Sequence, residues 1–301
     1  MSYLSSFWKF SRPHTILGTS LSVFALYFIT LAVNQSFITI DNLKELLGAW
    51  MACLCGNIYI VGLNQLYDVE IDRVNKPDLP LASGQFSLKQ GQWIVGLTGF
   101  LAIIIASFVG FWLWLTVGIS LLIGTAYSVP PIRLKRFPLL AAFCILTVRG
   151  IIVNLGLFLQ FNGAVTLPVL IPPVVWILTF FVLIFTIAIA VFKDVPDLEG
   201  DKKYQIQTFT LIWGPSVIFN LTRWVITVCY LGMAFVGIWG LGSINVPFFV
   251  GFHLVLLGLL WWRSREVDLT QKSAIADFYQ FIWKLFFLEY ILFPLACFLL
   301  V

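Results

Sequence analysis

Charge is scarce in this chain. Asp, Glu, Lys and Arg make up 11% of its 301 residues, against 60% hydrophobic. A soluble domain of this length needs far more polar surface, so that class is excluded. Cysteine is also sparse: Cys53, Cys55, Cys144, Cys229 and Cys297 all lie in apolar stretches. An odd, scattered set excludes a disulfide framework and a thiolate metal centre. These cysteines read as small buried hydrophobes.

Apolar runs are plentiful instead, and each is long enough to cross ~30 Å of hydrocarbon. Nine spans are expected, near residues 14–33, 45–66, 92–109, 111–127, 139–160, 172–192, 216–238, 244–262 and 278–300. The first follows "FWKFSRPHT" without a small-residue cleavage site and reads as a retained span. No Arg- and Ser-rich transit segment precedes it, which favours a bacterial-type or mature chain. The expected fold is therefore an all-α, polytopic membrane protein.

Orientation follows from the bases. With the N-terminus inside, every Lys and Arg lies on the inner side except Lys44, outside, and Arg149, Arg223 and Lys284, within spans. That asymmetry places the N-terminus in the cytoplasm and the C-terminus opposite. It also accounts, with an anionic leaflet, for the net charge of +4, so no nucleic-acid partner is implied.

Eight of the 14 acidic residues gather in two places. Asp68, Glu70, Asp72 and Asp78 follow the second span; Asp194, Asp197, Glu199 and Asp201 follow the sixth. The sequence Asp-Val-Glu-Ile-Asp-Arg (68–73) aligns with Asp-Leu-Glu-Gly-Asp-Lys (197–202). The match points to an internal four-helix repeat, about 14–136 and 139–272, with a ninth helix at 278–300, all in one domain over 1–301. Such repeats tend to build their site where the halves meet.

Asn64, Asp68 and Asp72 are spaced i, i+4, i+8, one face of a helix if the second span continues. Asp194, Asp197 and Asp201 are spaced i, i+3, i+7, with Pro196 and Gly200 able to bend or end that helix. Glu70 and Glu199 fall off these faces and read as solvated. Carboxylates four apart repel by roughly 3 kcal/mol at an effective dielectric of ~20. Proximity to the membrane adds up to ~3 kcal/mol each. Solvated loops balancing local bases would explain one such cluster but not two matched ones. A divalent cation reverses the sign of the problem. All the donors are oxygen, so the ion is hard, Mg²⁺ before Mn²⁺ or Ca²⁺. Nearby bases then suggest a diphosphate bridged by Mg²⁺.

"GTAYSVPPIRLKRFP" (124–138) offers Arg133, Lys135 and Arg136, either as an ordinary positive-inside anchor or as a clamp on departing diphosphate. Tyr127 and Ser128 are possible donors there. Arg73, Lys76 and Lys202 are further diphosphate candidates. The loop "DRVNKPDLPLASG" (72–84), stiffened by Pro77 and Pro80, reads as a cover for the site. Arg149 and Asn154 in the fifth span are candidates for holding an anionic acceptor, unless Arg149 snorkels. Lys284 and Glu289 read as a structural pair, or else as functional groups. Arg12 and His14 mark the inner mouth of the first span; His253 reads as structural. The 29 Phe and 12 Trp suit both a lipid-facing belt and a tunnel for an isoprenoid chain, with cation–π support for an allylic cation.

Asn64-x-x-x-Asp68-x-x-x-Asp72, Asp197-x-x-x-Asp201 and Tyr127-Ser128…Pro130-Pro131…Lys135-Arg136 resemble the UbiA-type intramembrane aromatic prenyltransferases. The stretches "NQLYDVEIDRVNKPDLPLASG", "GTAYSVPPIRLKRF", "FKDVPDLEGDKK" and "FYQFIWKLFFLEY" are similar to the homogentisate-using branch of cyanobacterial type. The resemblance implies nine helices around a central cavity open to lipid, with Mg²⁺ at both motifs and Asp68, Asp72, Asp197 and Asp201 as catalytic residues. It implies phytyl diphosphate as donor and homogentisate as acceptor. CO₂ and diphosphate would leave, and 2-methyl-6-phytylbenzoquinol would go on to tocopherol. A cyanobacterial thylakoid or plasma membrane is the implied location. Rival readings keep the fold with geranylgeranyl or solanesyl diphosphate, or with 4-hydroxybenzoate, chlorophyllide or a naphthoate. The remaining rival is a divalent-cation transporter.

Overall fold

The computed structural model describes residues 3–163, 170–204, 206–239 and 244–299. Among them there is no strand, and nine helices are long and apolar enough to cross a membrane. They are Pro13–Val33, Ile40–Tyr67, Leu88–Val109, Phe111–Ser128, Pro138–Phe161, Pro173–Phe192, Pro215–Trp239, Val246–Ser264 and Lys272–Phe298. The last residue expected in the ninth span, 300, lies outside the described residues.

The second, third and ninth spans begin earlier than hydropathy marks them, because each opens on a polar turn. Thr39 caps the second span through a reciprocal box with Asn42, which satisfies first-turn N–H groups that hydropathy does not register. Ser87 and Gln90 do the same for the third span. Proline occupies the first turn of the first, fifth and sixth spans, where its missing N–H costs no hydrogen bond.

The sixth span runs through the centre of the bundle, with Phe181, Phe185 and Phe192 fully buried. Tyr230, Phe278 and Phe286 from the seventh and ninth spans close around them. Outward faces carry Trp93, Phe108, Trp224 and Phe235, as a chain solvated by lipid requires. The second span lies flush against the fourth, because a Cβ on Gly124 would meet Ile60 at 2.7 Å.

Two buried devices fix the core. His253 Nε2 and Glu289 Oε1 are 3.2 Å apart, both fully buried, joining the eighth and ninth spans. His253 is structural, as expected. Lys284 does not pair with Glu289; it lies on the exposed face of its helix. The second device is a π-helical turn, Thr147–Ile152, inside the fifth span. Such a turn widens the helix and leaves carbonyls needing donors. Asn154 Nδ2 serves two of them, Arg149 O at 3.1 Å and Gly150 O at 2.8 Å, while its Oδ1 accepts from Tyr290. Asn154, expected to line the cavity, is therefore fully buried structure away from its wall.

Candidate active site

The first, second, fourth, fifth, sixth and ninth spans enclose a cavity of about 1280 Å³. Both aspartate clusters stand in its wall: Asn64, Asp68 and Asp72 from one, Asp194, Asp197 and Asp201 from the other. Lys76, Arg133, Lys135 and Arg136 line it as well, with Arg12, His14, Tyr127 and Arg149. The sequence spreads these residues over more than 180 positions; the bundle brings them to one chamber.

The clusters do not lie on continuous helices. The second span ends at Tyr67, Asp68 forms the junction, and a new short helix, Val69–Asn75, carries Asp72. After the sixth span ends at Phe192, a turn leads into Leu198–Lys203, so Asp194 and Asp201 sit on different elements. Breaking the helix turns both carboxylate sets across the cavity end.

Bases already meet these acids. Arg133 Nη2 donates to Asp68 Oδ1 at 3.0 Å, and Lys135 contacts the other oxygen of the same carboxylate. Asn64 Nδ2 also donates to Asp68, at 3.0 Å, while its own oxygen accepts from Arg12. The loop 129–137 folds back to make this possible, with Arg133 in the left-handed region at φ 39°. In the second cluster Lys76 pairs with Asp197, and Lys193 lies 3.5 Å from Asp194 and donates to Tyr127 OH at 3.2 Å.

Three expected residues are elsewhere. Arg73 pairs with Glu70 at 2.7 Å on the exposed side of its helix, one position from the face that carries Asp72. Lys202 is exposed and outside the cavity wall, while its neighbour Asp201 is buried in it. Ser128 is fully buried and does not line the cavity. Two site residues carry no earlier expectation. Lys193 had a signal, standing next to Asp194 in "FKDVPD". Asn75 had none. Its Oδ1 accepts from Gly200 N at 2.8 Å and its Nδ2 donates to Asp201 at 3.4 Å, so it ties the two clusters together. Gly200 is required there, since a Cβ would lie 2.3 Å from the Asn75 amide.

The electrostatics favour added positive charge. Burial pushes Asp72 up to about 6 despite Arg12 and Lys76, and its Oδ2 has no hydrogen-bond partner. Burial, then the charges of Asp194 and Asp197, raises Asp201 to about 7. Burial brings Lys135 down to about 8, outweighing its attraction to Asp68. Among the described residues no three acids form a ready-made metal-ligand group. Mg²⁺ does not need one: it takes one or two carboxylates and completes its shell with water and phosphate oxygens. The orphaned Asp72 oxygen and the all-oxygen donor set fit such an ion.

The UbiA prenyltransferase family pattern matches residues 20–285. The chain belongs to the UbiA prenyltransferase family. This prenyltransferase is 60% identical to the homogentisate phytyltransferase of Synechocystis sp. over 99% of this chain and 97% of that one. It is 38% identical to the homogentisate geranylgeranyltransferase of Triticum aestivum, over 97% of this chain and 72% of that one. Among solved structures, a UbiA homologue from Archaeoglobus fulgidus bound to GPP and Mg²⁺ superposes with a TM-score of 0.65. That match covers 96% of this chain and 99% of that one at 17% identity, which establishes the shared fold.

Proposed function

We propose that this enzyme transfers a phytyl group from its diphosphate to homogentisate, with loss of CO₂, giving 2-methyl-6-phytylbenzoquinol for tocopherol synthesis. The carrying observation is the single cavity that joins two aspartate clusters and a basic loop at one end to aromatic side chains deeper in the bundle. The 60% identity to a homogentisate phytyltransferase along nearly the whole chain supports the same substrates. The geranylgeranyl-using relative supports a second reading, in which only the donor's tail differs. Family membership sets the transporter aside.

In this reading Asn64, Asp68 and Asp72 hold one Mg²⁺, and Asp194, Asp197 and Asp201 the other. When bound, Mg²⁺ supplies Lewis-acid neutralisation of the diphosphate. Lys76, Arg133, Lys135 and Lys193 share the charge that builds as the allylic C–O bond breaks and its electron pair leaves with diphosphate. Arg136, exposed at the mouth, meets the incoming anion. Tyr127, Tyr279 and Trp283 line the same space and offer π-faces to the allylic cation. The spans exclude bulk water and hold the electron-rich ring near that cation. A ring carbon bonds to the phytyl carbon and gives up its proton. The side-chain methylene takes a proton as the carboxylate leaves as CO₂.

The matched clusters after the second and sixth spans support a duplicated four-helix origin. The positive-inside bias supports an N-terminus, and a cavity mouth, on the cytoplasmic side of a thylakoid or plasma membrane. The experiment uses membranes holding the full chain, phytyl diphosphate and carboxyl-labelled homogentisate, with Mg²⁺ and with a chelator. Mg²⁺-dependent label release matched by prenylated quinol is the expected result. Turnover only with another phenolic acid or another isoprenoid diphosphate would retire the narrow assignment.

A further inference from the structure

Among the described residues Arg149 has no counter-ion. Lys76, Arg133, Lys135 and Lys193 in the cavity wall meet carboxylates, whereas the Arg149 guanidinium makes no ion pair or hydrogen bond with a described residue. Its Cζ lies 4.5 Å from the Trp283 ring centroid and 5.8 Å from that of Phe286. The π-helical turn, tied off by Asn154, sets its place in the fifth span. Trp283 is 2% exposed. An unpaired cation inside a membrane span is a costly arrangement that a bound anion would relieve.

Arg149 also stands at a boundary. It lines the main cavity and a side chamber of about 110 Å³ between the first, second, fourth, fifth and ninth spans. Thr19, Ser22, Asn57, Thr116 and Ser120 line that chamber, and no acid does. The hydroxyls of Ser22, Thr116 and Ser120 already donate to backbone carbonyls, so they do not compete for a ligand's charge. The chamber is too small for an isoprenoid chain and lies apart from the bases that serve a diphosphate. A small anionic arm fits it.

Resting on the proposed function, we infer that Arg149, backed by Trp283, receives the carboxylate of the aromatic acceptor, whose acidic arm enters the side chamber. A guanidinium matches a carboxylate with two parallel N–H donors, which lysine does not reproduce. The site thereby selects phenols that carry a carboxylate over neutral ones of the same shape.

The test reads binding and not turnover, because an ester has no carboxylate to lose as CO₂: 3-hydroxyphenylacetate and its methyl ester are compared as competitive inhibitors of homogentisate prenylation, in membranes with saturating phytyl diphosphate. In wild-type enzyme the acid should inhibit at about 10- to 100-fold lower concentration than the ester. Arg149→Gln should raise the KM for homogentisate by a similar factor, leave the KM for phytyl diphosphate within about twofold, and lose the acid-over-ester preference. Arg149→Lys should fall between them. Retention of the full preference in Arg149→Gln overturns the inference. If that variant does not accumulate, the wild type and Arg149→Lys decide: no acid preference in the wild type overturns it equally. Turnover of 4-hydroxybenzoate but not homogentisate would sink the proposed acceptor, and the same acid-and-ester comparison, read as inhibition of that turnover, then tests Arg149 alone.

Discussion

In the first cluster Asp68 faces Arg133 and Lys135, both from the loop after the fourth span. In the second, Asp197 faces Lys76, which comes from the end of the first cluster itself. Asn75, the residue before it, holds Gly200 and Asp201. The two half-sites are near copies in sequence, yet one is served by its own half and the other is completed by its neighbour. Residues 75 and 76 are thus where the halves are coupled, and damage to the first cluster should reach the second.

Removing a central carboxylate should have the largest effect. Asp68→Ala and Asp197→Ala should each lower phytyl transfer by about 10³-fold or more while membrane abundance stays normal. Single-turnover transfer, with the amount of enzyme measured in the same membranes, checks this. Near-normal transfer in either variant would break the picture of two cooperating half-sites.

The bases should differ more. Asp197 has one basic partner and Asp68 has two, so loss of one lysine is buffered only in the first cluster. Lys76→Met should cost about 10²-fold in kcat, and Lys135→Met only about 10-fold, because Arg133 remains. Equal losses would mean that the two half-sites are served alike.

The coupling itself can be loosened. Asn75→Ala leaves the buried Gly200 N–H without its acceptor, and Gly200→Ala forces a Cβ into the Asn75 amide. Each should raise the Mg²⁺ concentration needed for half-maximal turnover by about 10-fold, an unsatisfied buried group costing roughly 1–3 kcal/mol. An Mg²⁺ titration that matches wild type in both variants would show that the clusters act separately.

Much of this was legible in the sequence, for identifiable reasons. Hydropathy marks spans because lipid demands apolar faces, and the polar first turns at Ile40, Leu88 and Lys272 escaped it. The spacing of Asn64, Asp68 and Asp72 signalled one site, although a helix break at Asp68, not a continuous face, brings them round. Neighbours in sequence misled: Arg73 and Lys202 each adjoin a site aspartate, but one step along a helix turns a side chain by about 100°, out to solvent in both cases. Asn75 acts across the repeat, a relation that spacing within one cluster does not encode.

The smallest effect is a pH dependence that separates protons from metal. In metal-free enzyme Asp72 is held up at about 6 and Asp201 at about 7, chiefly by burial. An unfolded aspartate titrates near 3.9. Between those limits the folded state binds more protons than the unfolded one, so stability falls as pH rises through roughly 4 to 7. In chelator, Tm should therefore drop by a few degrees from pH 5 to pH 7.5. Asp201→Asn should remove the slope above about pH 6 and lessen it below, whereas Asp72→Asn should lessen it only below about 6, which distinguishes the two clusters. Added Mg²⁺ binds the ionised carboxylates, so it should raise Tm more at pH 7.5 than at pH 5 and flatten the slope. A Tm in chelator that does not change with pH would mean that these acids are ionised without metal. The lysines beside them, and not a bound cation, would then be what stabilises their charge.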